Sequence, residues 1–116
     1  MSVTTLSAHG LSALAVIRRA TRTGAARALR EAAGISQPEM GEAAGVAAAT
    51  VSRWETSARV PRGEGARRYA RALTALARGL DHVDDPQVRA LRAELLALNV
   101  DQSTAAPKEV TRGAAV

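Results

Sequence analysis

"GISQPEMGEAAGVAAATVSRWE", residues 34–55, decides the fold. Ser36 reads as an N-cap, Pro38 is tolerated within the first turn, and Glu39 completes a capping box, so a helix is expected over 37–44. Gly45 ends it, because a residue without Cβ takes the left-handed stop at little cost. After Gly45-Val46 a second short helix is expected over 48–56. Val51, Trp54 and Ala58 would form its buried face, while Ala49, Ser52, Arg53 and Thr56 face out. That helix is small at its front, with three alanines in a row, and bulky one turn later at Arg53 and Trp54. Two short helices across a tight glycine turn, the second showing a polar face, make a helix-turn-helix.

Upstream, "LSALAVIRRATRTGAARALREAAG" carries Leu11, Leu14 and Ile17 at every third position, with Ala25, Leu29, Ala32 and Ala33 further on. This is helical periodicity. Gly24 is a weak interior residue, so the reading is two consecutive helices, about 12–22 and 25–33, or one bent helix, stopped by Gly34. Downstream, "SARVPRGEG" is a loop punctuated by Pro61 and two glycines. "EGARRYARALTALARG" then buries Ala66, Tyr69, Ala70, Leu73 and Leu76 and shows Arg67, Arg68, Arg71 and Arg78 to solvent. "DDPQVRALRAELLALN" opens with an Asp85 cap and Pro86, and stripes Val88, Leu91, Leu95 and Leu98 along one side. Periodicity then stops, and the remainder reads as a disordered tail. The resulting division is an N-terminal arm or added helix over 1–24, a helix-turn-helix domain over 25–78, a C-terminal amphipathic helix over 79–98 and the tail over 99–116. No strand pattern, repeat or glycine-rich phosphate loop occurs.

The composition narrows the function. With 116 residues, a single core is the natural expectation. No cysteine is present and the two histidines are isolated, so neither a disulfide framework, a metal site nor a cysteine nucleophile is expected. No apolar run suits a membrane span, and "MSVTTLSAHG" lacks the pattern of a signal peptide, which points to a soluble, cytoplasmic chain. Aromatic residues are limited to Trp54 and Tyr69, so the core must be built from Ala, Leu, Val and Ile. The net charge of +5 is uneven: residues 1–78 hold twelve arginines against five acids, and 79–116 hold four bases against six acids. Arginine supplies fifteen of the sixteen bases, which suits forked contacts to phosphates and guanine edges. A GC-rich genome would also raise arginine, so its position along the chain says more than its number.

"LREAAGISQPEMGEAAGVAAATVSRWE", followed by a proline and then "RYARAL", resembles the Cro and phage-repressor type of helix-turn-helix domain. The common form there is an LR, a GLSQ, an ELAE, a GVS, a T-hydrophobic-SRWE and a downstream Pro. The likeness covers about residues 25–77, and the spacings of Gly34, Gln37, Met40, Gly45, Val46, Val51, Trp54 and Glu55 match together. It implies an all-α, five-helix, lambda-repressor-like domain whose helix over 48–56 enters the major groove of double-stranded DNA. Ala48 and Ala49 would approach thymine methyls, with Ser52 beside them, and Arg53 would reach a guanine. Gln37, with Ser36 and Thr50, would bond phosphates, and Arg59 and Arg62 would follow the DNA backbone. Arg30 and Glu55 occupy positions that pair in that family. Plainer readings compete: Arg53 as a solvated helix residue, Gln37 as an exposed first-turn residue, and Trp54 and Tyr69 as core.

Four positions depart from the family pattern. Ala47 stands where Ser or Thr would cap the helix, Ser57 where Gly would stop it, and Ala48 and Ala49 where polar readers are common. The expected function is a sequence-specific transcriptional regulator, a repressor from a bacterium, phage or mobile element, residing in the cytoplasm at the nucleoid. Its partners would be duplex DNA, a second copy of itself through Val88, Leu91, Leu95 and Leu98, and a regulatory protein; that stripe packing back onto the domain is an equal alternative. The second function is an antitoxin-like or adaptor module in which the same helix binds protein. No enzyme activity, cofactor, metal or small-molecule effector is expected, because no nucleophile, base or paired-carboxylate spacing marks a pocket.

Overall fold

The computed structural model describes residues 7–80 and 82–98; the tail anticipated over 99–116 lies outside the described residues. The described chain is all-α, with six helices and no strand: α1 (Ala8–Thr23), α2 (Ala25–Ala32), α3 (Gln37–Ala44), α4 (Ala48–Glu55), α5 (Gly63–Gly79) and α6 (Pro86–Leu98). The expected all-α helix-turn-helix architecture is what forms. Four helices, α2 to α5, fall in the range expected for the five-helix domain; α6 is the expected C-terminal amphipathic helix and α1 the added N-terminal one.

Local sequence sets each boundary. Ser7 caps α1 by accepting from the Gly10 N–H at 3.0 Å. Gly24, at φ 90°, breaks α1 from α2, so the two consecutive helices form rather than one bent helix. Gly34 closes α2: its N–H donates to the Glu31 carbonyl and that of Ile35 to the Arg30 carbonyl, satisfying two orphan acceptors. The capping box forms as the residues dictate. The Glu39 N–H donates to Ser36 Oγ at 3.1 Å and the Ser36 N–H to Glu39 Oε1 at 2.9 Å. The Ser36 N–H first, and the Ser36 hydroxyl after it, hold the Glu39 carboxyl below its ordinary value. Gly45 repeats the Gly34 stop at the end of α3.

One core joins all six helices. Ile17, Leu29, Met40, Val51, Trp54, Tyr69, Leu73, Val88, Leu91 and Leu95 pack in it, with alanines between. The lone tryptophan and tyrosine meet there, ring centroids 4.8 Å apart at 47°, a tilted arrangement that aromatic quadrupoles favour.

Three expectations are corrected. Leu11 is 55% exposed, whereas Ala13, Ile17, Ala20 and Thr21 form the buried stripe of α1. Three-residue steps on a helix fall short of a full turn by about 60° each, so only one member of the Leu11, Leu14, Ile17 series reaches the core centre. Ala58 is exposed because α4 ends at Glu55, before the position would come round again. Finally, Val88, Leu91 and Leu95 are 1%, 2% and 0% exposed, buried against the chain's own helices, and Leu98 is half-buried. The stripe is therefore occupied within one chain and is not available as a self-association face. Polar bonds fasten α6 as well: Gln87 Nε2 donates to the Thr23 carbonyl at 2.8 Å and Arg92 Nε to the Ala77 carbonyl at 2.8 Å, and Arg19 pairs with Glu94.

Candidate nucleic-acid interface

The turn between α3 and α4 is packed on glycine. A Cβ on Gly41 would lie 2.6 Å from the Val46 carbonyl oxygen, so α3 approaches the turn more closely than any side chain permits. The Val46 N–H donates to the Gly41 carbonyl at 2.9 Å and fixes that approach. Behind the turn, Gly65 of α5 leaves room for Val46 and the Trp54 ring.

This packing fixes how α4 presents its faces. Val51 and Trp54 are buried, at 0% and 4% exposure. Ala49 and Arg53 are exposed, and Ala48, Thr50 and Ser52 are half-buried, so the four anticipated base readers share one accessible side with small residues at the front. The ends of α4 are both imperfect. Ala47 has the extended N-cap conformation, φ −69° and ψ 154°, yet no side chain caps the helix, so Thr50 does not replace the missing hydroxyl. At the other end Ser57 takes the left-handed conformation at φ 66°, where its N–H donates to the Trp54 carbonyl. The serine does the geometric work of the absent glycine at a conformational cost.

Beneath α4 lies an ion pair between α2 and α4. Arg30 Nε donates to Glu55 Oε2 at 2.6 Å and Nη2 to Oε1 at 3.0 Å, with the side chains 8% and 1% exposed. Arg30 Nη1 donates to the Ile35 carbonyl at 2.7 Å, tying the pair to the loop before α3. The hydrogen bond with Glu55 raises the Arg30 pKa, against the desolvation that lowers it. Burial, and then the Glu55 charge, raise the nearby Tyr69 phenol well above its ordinary value. Its hydroxyl is buried with no hydrogen-bond partner among the described residues.

One contact was not legible in the sequence. Gln37 Nε2 donates to Glu55 Oε1 at 3.0 Å. Because a carboxylate only accepts, the amide must turn its NH₂ inward, and its second N–H is the group left to reach a phosphate. No periodicity relates residues 37 and 55, and only the three-dimensional structure brings them together. Ser36 stands at the same end of α3 with its oxygen engaged in the cap. Arg59 and Arg62 are exposed in the loop before α5, with the Arg59 N–H donating to the Arg53 carbonyl at 3.1 Å. The site thus gathers Ser36, Gln37, Arg30 and Glu55 around the front of α3 and the back of α4, with the loop arginines at the far end.

Among the described residues no helix is long and apolar enough to cross a membrane, and no group of three or more His, Asp or Glu is placed to hold a metal ion. Neither a curated protein nor a solved structure matches the chain. The family profile of the helix-turn-helix domain matches residues 23–95, more than half of the sequence. It takes in α2 to α5 and most of α6, including the turn built on Gly41 and Gly45. The chain belongs to the helix-turn-helix domain family, whose fold binds DNA.

Proposed function

We propose that this protein is a sequence-specific transcriptional regulator of the Cro and phage-repressor type, a repressor that occupies its operator through α4 in the major groove. The observation that carries the reading is the division of α4. Val51, Trp54 and Glu55 are anchored inside, while Ala48, Ala49, Ser52 and Arg53 share an accessible side. The alanines let the helix backbone approach thymine methyls, and Arg53 has the donor fork for guanine O6 and N7. Gln37, held by Glu55, fixes the register on a phosphate, and Arg59 and Arg62 add affinity that ignores sequence. With few polar readers, a selective operator calls for two copies on paired half-sites or for sequence-dependent DNA shape. The protein acts without catalysis, as a bound obstacle on the chromosome.

Selection of bound duplexes from a random library, wild type beside Arg53→Ala at moderate salt, tests this. Wild type should enrich a motif containing a G whose preference is lost in the variant, at a cost of about 1–3 kcal/mol. Wild-type binding that ignores sequence would defeat the operator reading. The absence of salt-sensitive duplex binding would favour a protein partner for α4 instead.

A further inference from the structure

Arginines in this chain divide by partner. Among the described residues, Arg19 pairs with Glu94, Arg27 with Glu31, Arg30 with Glu55, and Arg67 and Arg68 with Glu64. Arg18, Arg53, Arg59 and Arg62 have no carboxylate within ion-pair distance among the described residues, and neither do Arg22, Arg71, Arg89 and Arg92. Arg18 differs from Arg53, Arg59 and Arg62 in being half-buried, as Arg71 also is, and from those four in being held: its Nε donates to the Pro61 carbonyl at 3.0 Å. Pro61 is bonded to Arg62 and lies two residues after Arg59, in a loop that carries two arginines and no acid from Thr56 to Arg62.

We propose that Arg18, on the added helix α1, is a third DNA-phosphate contact, forming with Arg59 and Arg62 one backbone-binding site at the end of α4. The proposal rests on the reading of the protein as a duplex-DNA binder. The Pro61 carbonyl takes one of the five guanidinium donors and leaves the four on Nη1 and Nη2. A half-buried cation without a counterion is electrostatically incomplete, and a phosphate oxygen supplies both the charge and the acceptors. Arg92 provides the contrast: its Nε is also held by a carbonyl, but that of Ala77, where it closes the end of α5 beneath α6. Helix α1 packs against both α4 and α5, so the carbonyl that holds Arg18 is part of the same rigid framework as the base-reading helix. Helix α1 is then both a packing element and part of the interface, which no reading of it as either arm or helix alone supplies.

The test is the salt dependence of binding to a short mixed-sequence duplex, measured for wild type, Arg18→Gln, Arg18→Lys and Arg27→Gln, each checked for its melting temperature. One lost phosphate contact reduces the slope of log K against log salt by about 0.9. Arg18→Gln should show that reduction with base preference unchanged. Arg18→Lys should keep the slope, and Arg27→Gln, which loses the same charge from an exposed pair on α2, should match wild type. A folded Arg18→Gln variant with the wild-type slope would overturn the proposal, as would an Arg18→Lys variant that loses the slope. If wild type shows no salt-dependent duplex binding, the DNA-binding reading falls together with this one.

Discussion

Glu55 holds three things at once: the Arg30 guanidinium on α2, the Gln37 amide at the front of α3, and the end of α4 from which it projects. Its carboxylate is buried, so its charge matters more to stability than that of any surface acid. Glu55→Gln keeps the volume and one acceptor but leaves the buried Arg30 only the exposed Glu31 carboxylate, at 3.9 Å. The expected loss lies toward the lower end of the roughly 3–5 kcal/mol that breaking a buried pair costs. Thermal unfolding should register it, while a library selection on the folded variant returns the wild-type base preference. A changed preference would instead place Glu55 among the base-reading residues.

At the scale of the element, α4 is held by what surrounds it more than by its own ends. Its N-cap is an alanine in cap geometry and its stop is a serine at φ 66°. Ala47→Ser should supply the missing cap, worth about 0.5–2 kcal/mol. Ser57→Gly should relieve a left-handed residue, worth on the order of 1 kcal/mol. The two sites are far enough apart for the gains to add, and denaturant midpoints should rise for each variant and further for the pair. Unchanged midpoints would mean that packing of Val51 and Trp54 alone sets α4. The same element shows where sequence reading succeeds. Capping and stopping depend on residues within one turn, so the Ser36–Glu39 box and the stops at Gly34 and Gly45 were legible. Ala58 was misplaced because the helix ended a turn before the pattern repeated, and the Gln37–Glu55 bond left no trace because it joins separate helices. Nor did the sequence show what Gly41 does, because the Val46 carbonyl that a methyl there would strike comes within reach only once the turn has folded.

For the whole molecule, α6 decides whether the helix-turn-helix stands alone. The apolar stripe of α6 was legible as periodicity, but periodicity marks a face to be covered and does not say by what. In this fold its cover is α1, α2 and α5. Truncation after Gly79 would uncover the faces of α1, α2 and α5 against which α6 packs and would remove the buried Val88, Leu91 and Leu95. Loss of three such buried side chains removes several kcal/mol from a domain whose whole margin is about 5–15 kcal/mol. The shortened chain should therefore show no cooperative thermal transition by circular dichroism; one that melts as the full chain does would show that α6 is dispensable.

Arg19 and Glu94 stand 75 residues apart in sequence yet touch. On the ribosome, the residues that would face DNA have all been made by Arg62, but the core beneath them lacks its last wall until Leu95 has emerged. A chain still being translated carries α3 and α4 without the helix that completes the core under them. Packing of the helix-turn-helix therefore waits on residues made more than thirty positions after Arg62, and a nascent chain stopped before α6 should not show the protected core of the full chain.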